Sequence, residues 1–109
     1  MAEMSLSKIS RLALKTLGEL IRLARTERGF SQLNLAERLN VSRYSVMAIE
    51  RGDPKVAIGV VFEAAVIVGV PLVAQDKQEL QKLEHTLAGF NAVLPKRVHS
   101  KNEPIDDNF

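Results

Sequence analysis

The stretch of chain from Gln32 to Lys55 holds most of the side chains that could do specific chemistry. It offers guanidinium, hydroxyl and amide groups, which donate hydrogen bonds to phosphate oxygens and to the edges of bases in double-stranded DNA. A single arginine can bond guanine O6 and N7 together, and that contact discriminates against other bases by about 1–3 kcal/mol. We predict base contact by Arg43, Tyr44, Met47 and Ala48, and phosphate contact by Gln32, Ser42, Ser45, Arg51 and Lys55.

Groups for other kinds of chemistry are scarce. The chain has no cysteine, which excludes disulfides, thiolate catalysis and cysteine-bound zinc. Its histidines are His85 and His99, and it has no glycine-rich phosphate loop, GxSxG motif or HExxH motif. The adjacent carboxylates Asp106 and Asp107 lie in a polar segment where nothing would desolvate them. We therefore predict no enzymatic activity, no catalytic residue, no metal site and no cofactor.

Charge is distributed unevenly along the chain. The net charge is +2, but residues 1–52 carry nine Lys/Arg against five Asp/Glu, and residues 53–109 carry six against eight. The N-terminal half is therefore +4 and the C-terminal half −2, which concentrates positive charge around the candidate residues. A basic surface favours a nucleic-acid partner, although ordinary solvated helix faces give the same pattern.

The elements that position these residues are predicted to be helices, because apolar residues recur at spacings of three and four rather than two. The first helix is expected to start near Ser5 or Ser7 and to end at Gly29. The fold is therefore predicted to be all-α, with the remaining helices at 32–39, 43–51, 58–68 and 74–91. On the fourth helix we expect the buried stripe to consist of Ile58, Phe62, Ala65 and Val66.

The two short helices at 32–39 and 43–51 have the pattern of a helix-turn-helix. Ser31 and Ser42 are suited to cap their N-termini, and Asn40 tolerates the left-handed backbone of the tight turn between them. Ala36 is small where the helices would cross, so the outer face of the second helix is left free to enter a major groove. The residues expected to hold the pair against the core are Leu35, Leu39, Val41, Val46 and Ile49.

Residues 17–70, about half of the chain, resemble the xenobiotic-response-element family of phage Cro and C1-type repressors, most closely in SQLNLAERLNVSR and IERGDPKV. The resemblance implies a five-helix, lambda-repressor-like domain that binds a palindromic operator as a homodimer and represses transcription. It also implies a structural ion pair between Arg25 and Glu50, a phosphate contact by Gln32, and base reading by Arg43 and Tyr44. Two asparagines depart from the pattern: Asn34 replaces a capping-box glutamate and should weaken the cap, and Asn40 replaces the commoner glycine.

Two segments, the GDPKV turn and the C-terminal LPKRVHSKNEPIDDNF, also resemble HipB-like antitoxins. Those antitoxins are repressors that bind their own promoter and a HipA-like kinase toxin. The resemblance implies an autoregulating antitoxin of a toxin–antitoxin operon, with Asp106, Asp107 and Phe109 docking on the kinase. The alternatives are a stand-alone transcriptional regulator and a protein-interaction module that has lost DNA binding.

The chain is predicted to divide into four segments. These are an N-terminal helical extension (1–13), the helix-turn-helix DNA-binding domain (14–74), a C-terminal helix (75–94) and a disordered tail (95–109). The C-terminal helix carries a heptad-like seam that could form a dimer or pack back on its own domain. The seam consists of Leu80, Leu83, Leu87, Phe90 and Leu94.

A membrane location is not expected. Residues 56–74 are apolar and about long enough to span a bilayer, but Glu63 lies near their centre and Pro71 would interrupt a helix. No secretory signal opens the chain. We therefore expect a cytoplasmic protein.

Overall fold

The computed structural model describes residues 5–93, which form five helices and no strand. Within these residues no helix has both the length and the apolar character needed to cross a membrane. The predicted all-α, five-helix fold is confirmed for this part of the chain, and the predicted disordered tail lies outside it. The helices are α1 (Lys8–Glu27), α2 (Gln32–Leu39), α3 (Arg43–Glu50), α4 (Ile58–Val68) and α5 (Lys77–Val93).

The chain is organised as two compact units. The first ends at Leu72 and contains α1 to α4, and the second begins at Val73 and contains α5. Helix α1 runs without interruption from Lys8 to Glu27, so residues 8–13 continue the helix that packs in the first unit. The candidate residues of α2, α3 and the following turn all belong to this first unit.

Serine side chains begin the first three helices. Ser7, Ser31 and Ser42 each accept a hydrogen bond from the backbone N–H three residues later, at 3.0–3.1 Å. Such a cap contributes about 1 kcal/mol, because it satisfies one of the amide groups that a helix leaves unpaired at its N-terminus. The predicted starts of α2 and α3 are confirmed, and Ser7 rather than Ser5 caps α1.

Two asparagines define the ends of α2. Asn40 follows the last residue of the helix with a φ of 58°, in the left-handed region that the sequence predicted. Asn34 forms a capping box with Ser31: its Oδ1 accepts the Ser31 N–H at 3.2 Å, while the Ser31 hydroxyl accepts the Asn34 N–H at 3.0 Å. Asparagine was expected to weaken this cap, yet both hydrogen bonds of the box are present.

The core of the first unit lies where the inner faces of α1, α2, α3 and α4 meet. Ile21, Leu35, Val46 and Val68 are fully buried, and each side chain of this size contributes about 1.5–3 kcal/mol by leaving water. Ala36 of α2 is also buried in this core, and α2 packs directly against α3. The core therefore fixes α2 and α3 relative to each other and to α1.

The buried face of α4 differs from the prediction. Ala65 is buried as expected, but Ile58, Phe62 and Val66 are 73%, 41% and 70% exposed, and the helix buries Ala64, Ala65 and Val68 instead. The prediction was wrong because every residue of α4 except the glutamate is nonpolar, so periodicity could not show which side faces the core. An apolar stripe at one-turn spacing is left on the surface of α4.

Two glycines bring the backbone of α1 against the end of α3. A Cβ atom at Gly18 would lie 2.6 Å from the carbonyl oxygens of both Ile49 and Glu50. A Cβ atom at Gly52, whose φ is +77°, would lie 2.8 Å from the Cα and backbone nitrogen of Lys15. These distances are too short for nonbonded atoms, so neither position accepts a side chain without moving the main chain. The C-terminal end of α3 is therefore held by main-chain packing on α1.

Helix α5 carries apolar side chains along its length and buries none of its residues. The Asp76 carboxylate accepts the Glu79 N–H at 2.8 Å, and the Glu79 carboxylate in turn accepts the Gln75 N–H. This pair of hydrogen bonds explains why the helix begins at Lys77 rather than at the predicted residue 74. Four of the five predicted seam residues are exposed on α5, and they are Leu80, Leu83, Leu87 and Phe90. The fifth, Leu94, lies outside the described residues.

Candidate nucleic-acid interface

The outward face of α3 begins at its N-terminus with Arg43 and Tyr44 and continues with Met47. Arg43 is exposed, Tyr44 is 70% exposed, and Met47 is 37% exposed. Ala48 was predicted to share this face, and that placement is wrong because only 8% of Ala48 is accessible. The Asp53 N–H donates to the Ala48 carbonyl at 3.0 Å, which folds the turn after α3 back toward this residue. The face available to a partner therefore consists of three residues.

Beneath this face, Arg25 of α1 and Glu50 of α3 form an ion pair with little access to solvent. The Arg25 Nε donates to Glu50 Oε2 at 2.5 Å and its Nη2 donates to Oε1 at 3.2 Å, while Nη1 donates to the Phe30 carbonyl at 2.8 Å. The two side chains are 12% and 5% exposed. Losing one partner of a buried pair typically costs about 3–5 kcal/mol, because the other charge stays buried without compensation. These are the two residues that the sequence analysis assigned to a structural ion pair.

Hydrogen bonds continue from this ion pair to the protein surface. The Gln32 Nε2 donates to Glu50 Oε1 at 3.1 Å, and the Gln32 Oε1 accepts from Arg43 Nε at 3.2 Å. Gln32 is the first residue of α2 and is half-buried, whereas Arg43 is the first residue of α3. The structure thus joins Arg25, Glu50, Gln32 and Arg43 in one network drawn from three helices, and we call it the polar network.

Two predicted phosphate contacts, Ser42 and Ser45, lie together at the start of α3. Their hydroxyls are 3.2 Å apart, and the Ser42 hydroxyl also accepts the Ser45 N–H at 3.1 Å. Ser42 is exposed and Ser45 is half-buried. Since the N-terminus of a helix favours anions through its free N–H groups and its dipole, this end of α3 is electrostatically suited to a phosphate.

The turn after α3 carries the two remaining predicted phosphate contacts, Arg51 and Lys55. Asp53 lies between them: its Oδ1 accepts the Lys55 N–H at 2.9 Å, and its Oδ2 accepts from Arg51 Nη2 at 3.4 Å. The hydrogen bond from the Lys55 amide is the main cause that lowers the pKa of Asp53, with a smaller contribution from the charges of Lys55 and Arg51. An ionised Asp53 therefore orders the turn that carries these two cations.

This turn should give stability a weak dependence on pH. The pKa of Asp53 is lower in the folded protein than in the unfolded chain, where it is about 3.9, so its contribution is present above about pH 4 and is lost as the pH falls through the folded pKa. We expect Asp53→Asn to melt slightly below wild type at pH 7, and we expect this difference to shrink as the pH falls below about 4. Glu37→Gln, at an exposed position of α2, controls for the loss of one negative charge. A difference between wild type and Asp53→Asn that stays constant from pH 7 to pH 2 would contradict this role.

Three predicted contact residues lie outside the described part of the chain, and the roles of two residues of the first unit were not predicted from the sequence. The predicted tail contacts Asp106, Asp107 and Phe109 are outside the described residues. Gly18 was missed, although a glycine inside the apolar inner face of a long helix is a signal of close packing. No sequence signal indicates that Gln32 bridges the ion pair and Arg43, because the bridge depends on how three helices meet.

Comparison with known proteins places this geometry in a family. A family model described as Helix-turn-helix matches residues 21–75, about half of the 109 residues. The matched region covers the end of α1, all of α2, α3 and α4, and the turn that carries Asp53. No curated protein and no solved structure matches the chain.

Proposed function

The chain belongs to the helix-turn-helix family of the xenobiotic-response-element type, and we propose that it is a sequence-specific repressor that binds a palindromic operator as a homodimer. Domains of this family are DNA-binding transcription regulators rather than enzymes. Regulation of transcription through DNA binding is therefore the function of residues 21–75. Beyond this function, we propose that the chain recognises a specific operator sequence, forms a homodimer and represses transcription.

The observation that carries the proposal is the exposed N-terminal end of α3, where Tyr44 lies beside Arg43, the exposed outer member of the polar network. The major groove of B-DNA is wide enough for an α-helix, and the first residues of a recognition helix reach the base edges. Arg43 would bond a guanine, Tyr44 would contact a base edge, a thymine methyl group or a phosphate, and Met47 would contact apolar base surface. Ala48 is left out of this set because it is buried.

Phosphate contacts would set the register of α3 on the duplex. Residues with hydrogen-bond donors lie at the starts of α2 and α3 and in the turn that follows α3. Contacts with phosphate fix orientation but carry no sequence information directly. We propose this role for Gln32, Ser42, Ser45, Arg51 and Lys55.

We propose that α5 forms the dimer contact. The four described residues of its seam are exposed, and an isolated helix of 17 residues has little stability of its own. Pairing of two copies would remove the seam from water. A two-fold dimer would then present two recognition helices about 34 Å apart, one turn of B-DNA, to the two halves of an inverted repeat.

The experiment that tests the proposal measures binding of the purified full chain to DNA from upstream of its own gene. A scrambled duplex of equal length and composition serves as the control, and the salt concentration is varied from about 50 to 300 mM. We expect two chains per duplex, a preference for the native fragment, and a steep loss of affinity with salt, because neutralised phosphates release counterions. Equal affinity for both duplexes would contradict a specific repressor of that promoter and would favour the interaction module.

We further propose that the repressor is the antitoxin of a toxin–antitoxin operon and that it binds a HipA-like kinase. The resemblance of the GDPKV turn and of residues 94–109 to HipB-like antitoxins supports this proposal. Asp106 and Asp107 would speed the encounter with the kinase, and the ring of Phe109 would enter an apolar pocket. Pull-down of a kinase encoded by a neighbouring gene tests the partner, and equal capture by a chain ending at Val93 would contradict the role of the tail.

A further inference from the structure

We infer that Glu50 is a positioning residue for base recognition, acting through the Gln32 amide to fix the guanidinium of Arg43. The inference rests on the proposed reading of a base by Arg43, and it assigns to Glu50 a role beyond its ion pair with Arg25.

The chemistry of its neighbours determines which way the Gln32 amide faces. A carboxylate only accepts hydrogen bonds and a guanidinium only donates them. The amide nitrogen must therefore face Glu50 Oε1, at 3.1 Å, and the amide oxygen must face Arg43 Nε, at 3.2 Å. With the opposite orientation, the amide oxygen would face the carboxylate, which is also an acceptor, and the amide nitrogen would face the guanidinium, which is also a donor. Glu50 thus ensures that the surface arginine meets an acceptor.

The network is ordered from the interior outward. The Glu50 side chain is 5% exposed and is held by two hydrogen bonds from Arg25, whose third bond anchors it to the Phe30 carbonyl. Gln32 is half-buried and follows Glu50, and the exposed Arg43 follows Gln32. A long surface side chain normally loses rotamer freedom when a partner immobilises it, and holding it beforehand reduces that cost. The buried carboxylate thereby restricts Arg43 before DNA arrives.

The contact with Gln32 also selects which donors of Arg43 remain for a partner. Because Nε donates to the Gln32 oxygen, the terminal nitrogens Nη1 and Nη2 remain available as donors to a partner. These two nitrogens can donate together to the adjacent acceptors O6 and N7 of guanine. We therefore expect Arg43 to read guanine end-on through its terminal nitrogens, and we expect this preference to depend on Glu50.

The test compares base preference in variants that remove different hydrogen bonds of the polar network. Gln32→Met removes both amide hydrogen bonds and leaves the ion pair intact. Glu50→Gln removes the carboxylate, and the double variant Arg25→Met/Glu50→Met removes both charges in case Glu50→Gln does not fold, since apolar replacement of a buried pair is often tolerated. Each is made alone and with Arg43→Ala. Glu37→Gln, on the exposed surface of α2, is the control.

Two duplexes serve as probes. The first is the sequence that the wild-type chain selects from a random pool. The second differs from it at one base pair, the one for which Arg43→Ala loses the preference of wild type. We expect Gln32→Met and the Glu50 variants to reduce the affinity ratio of these two duplexes by about five-fold or more. In the Arg43→Ala background they should leave the ratio unchanged, because the side chain that they position is absent. Circular dichroism melting shows which variants are folded at the assay temperature.

The results separate failure of this inference from failure of the proposed function. If no base preference depends on Arg43, base reading by this residue is wrong and the positioning role is wrong with it. If Arg43→Ala abolishes a preference that Gln32→Met and the folded Glu50 variants retain, only the positioning role is overturned. If the Glu50 variants weaken both duplexes equally, Glu50 has a structural role alone.

Discussion

Replacing Gly18 with alanine should lower the free energy of unfolding of the first unit by about 3 kcal/mol, at the upper end of the usual cost of overpacking. The added Cβ would lie 2.6 Å from the carbonyl oxygens of Ile49 and Glu50. Both obstacles are main-chain atoms, which cannot turn away as the end of a side chain can. Relief requires α1 and α3 to separate, and that movement would open the core where Ile21 and Val46 are buried. Urea denaturation followed by circular dichroism measures the loss.

Gly59→Ala is the matched control for Gly18→Ala. A Cβ at Gly59 meets no atom within 4 Å, and the position is helical. Alanine should therefore stabilise α4 by up to about 1 kcal/mol, because glycine loses more backbone entropy in a helix. A gain in stability for both variants would contradict the close contact between α1 and α3. DNA binding of Gly18→Ala should fall with its folded fraction, since α3 reaches a groove only when α1 supports it.

Replacing Arg43 with alanine should remove most of the preference for one base pair in each half-site. One bidentate arginine–guanine contact is worth about 1–3 kcal/mol of discrimination, which corresponds to about a 5- to 150-fold loss of preference. Affinity for random DNA should fall much less, because the other proposed phosphate contacts are untouched. Selection from a random pool by wild type and by Arg43→Ala, followed by sequencing, identifies the position that loses its preference.

Arg38→Ala is the control for Arg43→Ala, because it removes the same positive charge from another exposed arginine. Arg38 is exposed on α2, with its guanidinium 4.3 Å from the centre of the Phe30 ring, and it makes no contact with the polar network. Its loss should reduce affinity for every sequence to a similar small extent and leave the selected sequences unchanged. If the two variants select the same sequences, Arg43 contributes charge but does not read a base.

The features that the sequence predicted well depend on local signals. Serines before each short helix, an asparagine in the turn and a glycine after α4 mark ends that neighbouring residues alone determine, so the bounds of α2 and α4 agree with the structure to the residue. The outward placement of Arg43, Tyr44 and Met47 follows from helical spacing once the inward positions are known. Family resemblance supported the same arrangement.

The features that the sequence did not predict depend on how the helices meet. On α4 nearly every residue is nonpolar, so only the packing of Ala64, Ala65 and Val68 decides which face is inside. The burial of Ala48, which lies between the outward Met47 and the inward Ile49, also depends on the assembled unit. The link from Glu50 through Gln32 to Arg43 joins residues 11 and 18 positions apart, and only the assembled unit brings them together.

In helix α3, the residues that pack against the rest of the unit are different from the residues that are exposed to solvent. Val46 and Ile49 are buried, and its C-terminal carbonyls pack on the glycine backbone of α1, whereas Tyr44 and Met47 take no part in the buried core. Exchange of residues 43, 44 and 47 therefore alters the surface without disturbing what keeps the helix in place. After gene duplication, such a chain can acquire a new target and avoid crosstalk with its sister copy at little cost to folding. A library randomised at these three positions should accordingly consist mostly of folded proteins.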